Sequence, residues 1–237
     1  MIEIKGITKK YTRLTAVDNI SFNIQDEECF ALLGFNGAGK TTLINMLTTE
    51  TFPSSGTAVV NGYDLIKERE NIRKIINISP QESAVAKNLT VRENLELIAS
   101  LYNIQNQDEK IDEIISKFGL KEKEKVRCKK LSGGQIRRVS IALAMITEPK
   151  ILFLDEPTLG LDVKSRRILW EIIKELKSKL TIFLTTHYLE EVEFLADKIA
   201  IISRGAIKAI GTREEILEET GADSLENALL MLSEEEV

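Results

Sequence analysis

Cys29-Phe30-Ala31-Leu32-Leu33-Gly34-Phe35-Asn36-Gly37-Ala38-Gly39-Lys40-Thr41 is the stretch that decides the fold. Residues 28–33 are almost continuously apolar, the pattern of a strand covered on both faces. Gly34 to Thr41 then fits G-x-x-x-x-G-K-[ST], a loop that cradles phosphates, and Lys40 to Leu47 reads as a helix. Strand, glycine loop and helix together form the context that this pattern requires. Glycines 34, 37 and 39 permit backbone conformations that turn successive N–H groups onto phosphate oxygens. The helix behind them directs its positive end at the same place. Phe35, Asn36 and Ala38 complete the loop and Thr42 follows it, so residues 34–42 form the expected nucleotide cradle. Lys40 supplies a point charge to the β/γ-phosphates, and Thr41 a hydroxyl ligand for Mg²⁺.

Outward from the loop, the chain alternates between strand and helix patterns. Residues 2–8 and 18–24 alternate apolar and polar, as half-buried strands do. Ile75 to Ser79 reads as a further strand, ending at Pro80-Gln81. From about residue 84 to 147 the period becomes helical. Thr90 with Glu93 three residues on is a capping box opening a helix over Val91 to Tyr102. Ile111, Ile114, Ile115 and Phe118 follow at helical spacing and stop at Gly119, and Gly133 to Thr147 is helical up to Pro149. The alternation then resumes with strand Ile151–Leu154, helix Val163–Lys177, strand Leu180–Thr185, helix Tyr188–Ala196 and strand Ile199–Ile202. This predicts a single domain: a core over about 1–83 and 148–222, a helical insert over about 84–147, and a short C-terminal helix over about 223–237. Glu234-Glu235-Glu236 reads as a frayed acidic end.

Composition narrows the function. With 32 Lys+Arg against 37 Asp+Glu, and no long basic segment, nucleic acid is not expected as a partner. Lys121 to Lys130 is interrupted by Glu122 and Glu124 and reads as a solvated face. The longest purely apolar run, Ile141 to Ile146, is far short of the ~20 residues of a membrane span. Met1-Ile2-Glu3-Ile4-Lys5 lacks a signal-peptide core. The expectation is a soluble, cytosolic protein without direct membrane insertion. Cys29, inside its apolar strand, is expected to be a buried reduced thiol.

Three further positions carry chemistry. Ile151-Leu152-Phe153-Leu154-Asp155-Glu156 is a buried strand ending in two carboxylates. Asp155 at the sheet edge can hold Mg²⁺ through water, and Glu156 can orient and deprotonate an attacking water. His187, the sole histidine, follows the apolar strand that ends in Thr185-Thr186, and so stands where open α/β sheets bind ligands. There its imidazole can donate to a γ-phosphate. Gln81 ends its own strand in the same way, and its amide can coordinate Mg²⁺ or water while reporting to the helical insert.

About ninety residues beyond the phosphate loop stands Leu131-Ser132-Gly133-Gly134-Gln135, for which the sequence offers no clear use within its own chain. With Tyr11, the phosphate loop, Gln81, Ile151 to Glu156, Leu161-Asp162 and His187, its order resembles the ATP-binding cassette (ABC) ATPase family over nearly the whole chain. The resemblance implies an α/β P-loop NTPase core with a mostly parallel sheet, an antiparallel β subdomain and an inserted helical subdomain. It implies that ATP and Mg²⁺ are bound, that Tyr11 stacks on adenine, that Glu156 is the general base and that His187 contacts the γ-phosphate. Ser132 and Gly134 would bind the γ-phosphate held by a second ATPase subunit, with Asp162 crossing the interface. A positive helix N-terminus near Gly133 agrees with such a role. Thr185 to Val192, Ser224 to Leu229 and Asn88 to Leu95 resemble the ATPases of ABC-2-type exporters, whereas Gln135 follows the general family string rather than the form common in that group. The expected function is hydrolysis of ATP by a head-to-tail homodimer driving a separate membrane permease. That permease would hold the subunit at the inner face of the cell membrane. The alternatives are an importer ATPase or a soluble ABC ATPase outside transport.

Overall fold

In the computed structural model, which describes residues 1–234, the apolar strands flanking the phosphate loop lie side by side in one sheet. The strands are β1 (Ile2–Tyr11), β2 (Leu14–Ile24), β3 (Cys29–Leu33), β4 (Ser55–Val60), β5 (Tyr63–Asp64), β6 (Ile76–Ser79), β7 (Ile151–Asp155), β8 (Thr181–Thr186), β9 (Lys198–Ser203) and β10 (Ala206–Gly211). The larger sheet has the order β10-β9-β3-β8-β7-β6, with every pairing parallel except β10 on β9. The smaller sheet, β2-β1-β4-β5, is antiparallel throughout. Helices α1 (Lys40–Leu47), α2 (Arg69–Arg73), α3 (Val91–Leu101), α4 (Gln107–Lys117), α5 (Gly133–Met145), α6 (Val163–Lys177), α7 (Leu189–Leu195), α8 (Arg213–Thr220) and α9 (Leu225–Glu234) surround them. Between β6 and β7 there is no further strand, only α3, α4, α5 and short turns.

Strands β3, β7 and β8 are buried at every residue. Because successive side chains point to opposite faces, these strands feed two cores at once. Ala31, Leu33, Leu152, Leu154, Ile182 and Leu184 pack with α3 to α7. Phe30, Leu32, Ile151, Phe153 and Phe183 pack with α1 and the antiparallel sheet. On that second face the rings of Phe22, Phe30, Phe183 and Phe153 run in a row at centroid spacings of 4.8, 5.5 and 5.5 Å. The row fixes the register of three parallel strands. Their C-terminal ends, at Leu33, Asp155 and Thr186, therefore lie along one edge, together with Ser79 of β6.

The Thr90–Glu93 capping box forms as the spacing predicts. Cys29 and Cys128 are free and buried, and burial pushes the Cys29 thiol up to about 12. Five elements have no counterpart in the sequence reading: β4, β5, α2, β10 and α8. Strand β4 begins Ser-Gly-Thr, and β5 and α2 are too short to show a period. Strand β10 returns on β9 through Arg204-Gly205, both at positive φ, which is tight-hairpin geometry. The acidic end expected at Glu234-Glu235-Glu236 lies, from Glu235 on, outside the described residues.

Candidate active site

At the shared edge of the parallel strands, Gly39 enters α1 with φ 108°, and a Cβ there would stand 2.3 Å from the Ala16 carbonyl oxygen. Gly37 also has positive φ, but Gly34 does not. Its lack of a side chain serves close packing instead, since a Cβ would reach 2.4 Å from the Ile202 carbonyl oxygen. Lys40, only 6% exposed, folds back over the loop and donates to the Gly34 and Phe35 carbonyls at 2.7 and 3.2 Å. Its Nζ also pairs with Glu156 Oε1 at 3.0 Å, and Glu156 Oε2 stands 2.7 Å from His187 Nδ1. Lysine, glutamate and histidine thus form one chain of contacts. With Nδ1 facing the carboxylate, a neutral imidazole donating there keeps only an acceptor at Nε2, and the imidazolium alone has a second N–H to give.

Asp155 is 3% exposed and both its oxygens accept from threonines: Oδ1 from Thr185 Oγ1 at 2.5 Å and Oδ2 from Thr41 Oγ1 at 3.1 Å. Thr185 also fixes the next residue, because the Glu156 N–H donates to its carbonyl and hydroxyl oxygens, both at 3.1 Å. Glu156 itself has φ 48°, a left-handed conformation that strains a residue with a side chain. Thr41 Oγ1 and Asp155 Oδ2 thus face each other at the loop, so a hydrated cation could meet the hydroxyl directly and the carboxylate through water. Among the described residues no three His, Cys, Asp or Glu side chains cluster as a metal cage. Two hard oxygens beside a phosphate loop suit Mg²⁺, which keeps several waters and shares substrate oxygens.

A cleft of about 420 Å³ runs from Tyr11 and Leu14 across the 36–42 loop to Gln81, Glu156 and Leu159. Tyr11 ends β1, half exposed, with Lys9 Nζ 5.3 Å from its ring centroid. Gln81 is exposed at the cleft wall, and none of Leu131 to Gln135, the signature segment, lines the cleft. Ser132 is exposed at the N-terminus of α5, where it caps the helix. Its Oγ accepts from the Gln135 N–H at 3.3 Å, and its own N–H donates to Gln135 Oε1 at 3.0 Å. The signature therefore does have a use within its own chain, contrary to the sequence reading. Gly134 serves packing as well, since a Cβ would stand 2.4 Å from Ser165 Oγ on α6. Asp162 caps α6 by accepting from Ser165 N–H and Oγ at 2.9 and 2.7 Å, and these bonds hold its carboxyl below the usual range.

The ABC transporter family model matches residues 17–159. The chain belongs to this family. The chain is similar to the linearmycin resistance ATP-binding protein of Bacillus subtilis (strain 168), 39% identical over 228 residues, which are 95% of this chain and 73% of that protein. A solved ATP-binding subunit of an ABC transporter superposes with TM-score 0.87 at 30% identity, covering 98% of this chain and 99% of that one. A dimeric ATP-binding cassette in a post-hydrolysis state, bound to ADP and Pi, superposes with TM-score 0.80 at 25% identity over 90% of this chain and 98% of its own. This protein is accordingly an ABC ATPase of the P-loop fold, and ATP is its nucleotide. No helix among its described residues is long and apolar enough to cross a membrane.

Three residues that support this cluster escaped the sequence reading. Thr185 holds Asp155 and Glu156, and its signal was a hydroxyl pair in an otherwise apolar strand. Arg137 is 4% exposed on the buried stripe of α5 that includes Gly134 and Ile141, so an arginine at that spacing was the signal. Glu191, fully buried, accepts from Trp170 Nε1 at 3.1 Å beneath the His187 segment. A carboxylate in the first turn of a short helix gave no sign of burial.

Proposed function

We propose that this ABC ATPase binds Mg-ATP in its cleft, closes head to tail with a second subunit, and by hydrolysis energises a separate membrane permease of the exporter kind. The observation that carries the reading is the contact chain Lys40–Glu156–His187 at the phosphate loop, set in a cleft to which the chain's own exposed signature contributes nothing. Residues 34–42 take the phosphates, with Lys40 on the β/γ oxygens and Tyr11 stacked on adenine. A γ-phosphate attracting Lys40 frees Glu156 Oε1 to take a proton from an attacking water, and His187 holds the other carboxylate oxygen and the γ-phosphate. Thr41, Gln81 and, through water, Asp155 would hold Mg²⁺, which would supply charge neutralisation for the phosphates. Ser132 and Gly134 complete the partner subunit's site, and Asp162 lies across the same interface. The similarity to a resistance ATP-binding protein and the dimeric structure of a similar cassette support export and pairing. A permease partner places the subunit at the inner face of the cell membrane.

The test is to purify the chain alone and with the product of a neighbouring reading frame that encodes about six apolar spans. Mg-dependent ATP hydrolysis and co-purification in detergent are expected. A chain that binds ATP and never pairs, with itself or with such a partner, would sink the transport reading.

A further inference from the structure

Arg137 lies about one and a half turns along α5 from Ser132, and its hydrogen bonds go to backbone carbonyls rather than to a carboxylate. Its guanidinium is spent on backbone carbonyls of two segments. Nε donates to Pro157 O at 2.8 Å and one terminal nitrogen to Asp155 O at 2.8 Å. The other terminal nitrogen donates to Pro80 O and, at 3.4 Å, to Gln81 O. The first pair brackets Glu156, the residue whose left-handed φ of 48° needs outside support. The second pair holds the segment that carries Gln81 to the cleft. A buried guanidinium costs desolvation unless its planar donors are all used, and here that cost pulls its pKa down to about 10, still charged at neutral pH. Asp155 supplies the compensating negative charge.

We propose that Arg137 is a positioning residue through which the signature helix holds the Glu156 backbone and the Gln81 segment as one unit, so that engagement of Ser132 by a partner's nucleotide sets the carboxylate for water attack. The proposal rests on the reading of Glu156 as base. Lysine keeps the charge but offers one ammonium, which cannot span both segments. Arg137 makes its hydrogen bonds outside the 34–42 loop, so ATP binding is left alone.

The experiment is a double-mutant cycle on the full chain, with single-turnover ATP hydrolysis and calorimetric ATP affinity measured for wild type, Arg137→Lys, Glu156→Gln and the double variant. The expected result is a fall of about tenfold or more in the hydrolysis rate for Arg137→Lys with ATP affinity changed by less than about twofold, and almost no further fall when Arg137→Lys is added to Glu156→Gln. The ATP-dependent pair should persist in the double variant. A residue that merely stabilises the fold would lower the rate by the same factor in both backgrounds, and that result overturns the proposal. An unchanged rate for Arg137→Lys overturns it too, as does a large loss of ATP affinity. Should the lysine variant fold poorly, Arg137→Gln enters the same cycle under the same criteria. Wild-type protein that does not hydrolyse ATP would instead sink the functional reading itself.

Discussion

The phosphate-loop edge of the sheet and the signature end of α5 are built on opposite plans. At the first, Lys40, Asp155, Glu156, Thr185 and His187 come from distant parts of the chain, meet because parallel strands end together, and bury their charges against one another. At the second, Ser132 and Gln135 satisfy each other three residues apart on an exposed helix end. The first is closed upon itself and needs the whole fold. The second needs only one turn of helix and presents its outer side to whatever approaches. A group that is already satisfied locally can meet a second molecule without first breaking a long-range contact.

Glu156→Gln attacks the closed region and carries the largest expected effect. Loss of a general base lowers turnover by about 10²–10⁴-fold. ATP binding and folding should survive, because the amide oxygen still accepts from Lys40 and the amide N–H₂ can donate to His187 Nδ1 in its other tautomer. The variant should accumulate as a pair with Mg-ATP on size-exclusion chromatography. Turnover at the wild-type rate would remove Glu156 from the role of base.

Lys40→Ala strikes an earlier step. Charge-assisted hydrogen bonds are worth about 1.5–3 kcal/mol each, so ATP affinity should fall by roughly 10–100-fold. It also strips Glu156 of its buried cation, so this variant, unlike Glu156→Gln, should lose thermal stability as well. Calorimetry showing unaltered ATP affinity would overturn the assignment of the loop.

For the open region the informative change is Ser132→Asp. Aspartate caps a helix as well as serine does, so the melting temperature should hold, while its charge repels a phosphate brought by a partner. Hydrolysis should fall at least tenfold, with ATP affinity in the chain's own loop unchanged. Ser132→Ala separates the two roles, losing the cap at a cost of about 1 kcal/mol without adding charge. Normal hydrolysis by Ser132→Asp would confine the signature to capping and end the comparison drawn above.

How legible the two regions are follows from how they are made. Lys40 could be found from the glycine-loop pattern, and Asp155, Glu156 and His187 because each ends an apolar strand or follows one, where the change from apolar to polar residues is visible. What joins them was not visible. Thr185, Arg137 and Glu191 act through contacts between residues 18 to 57 positions apart in the chain, which no local period encodes. The signature failed in the reverse sense, since Ser-x-x-Gln at 132–135 is the same box that announces Thr90–Glu93, yet its local meaning passed unread beside its distant one. Thr212–Glu215, the third such box, opens α8 and was passed over in the same way.

The smallest expected effect lies under the closed region, at Glu191. Its Oε2 and the neighbouring Thr158 Oγ1 are buried without a well-formed hydrogen bond, and a proton on the carboxyl would serve both. Burial pushes this carboxyl up, opposed by Thr186, Trp170 and, more weakly, the hydroxyl of Thr158, and reinforced by the charge of Glu156. A carboxyl that holds its proton more tightly when folded favours the folded state below its ordinary value of 4.5, and that advantage is lost as pH rises through the raised value. Glu191→Gln keeps an acceptor for Trp170 and a donor for Thr158 but does not ionise. Its melting temperature should therefore gain on the wild type as pH is raised from the ordinary glutamate range. The gain is measurable, since 1 kcal/mol moves a chain of this size by about 2–4 °C. A difference between the two proteins that stays constant with pH would mean that Glu191 is ionised in the fold, and that the closed region carries one more buried charge than its contacts support.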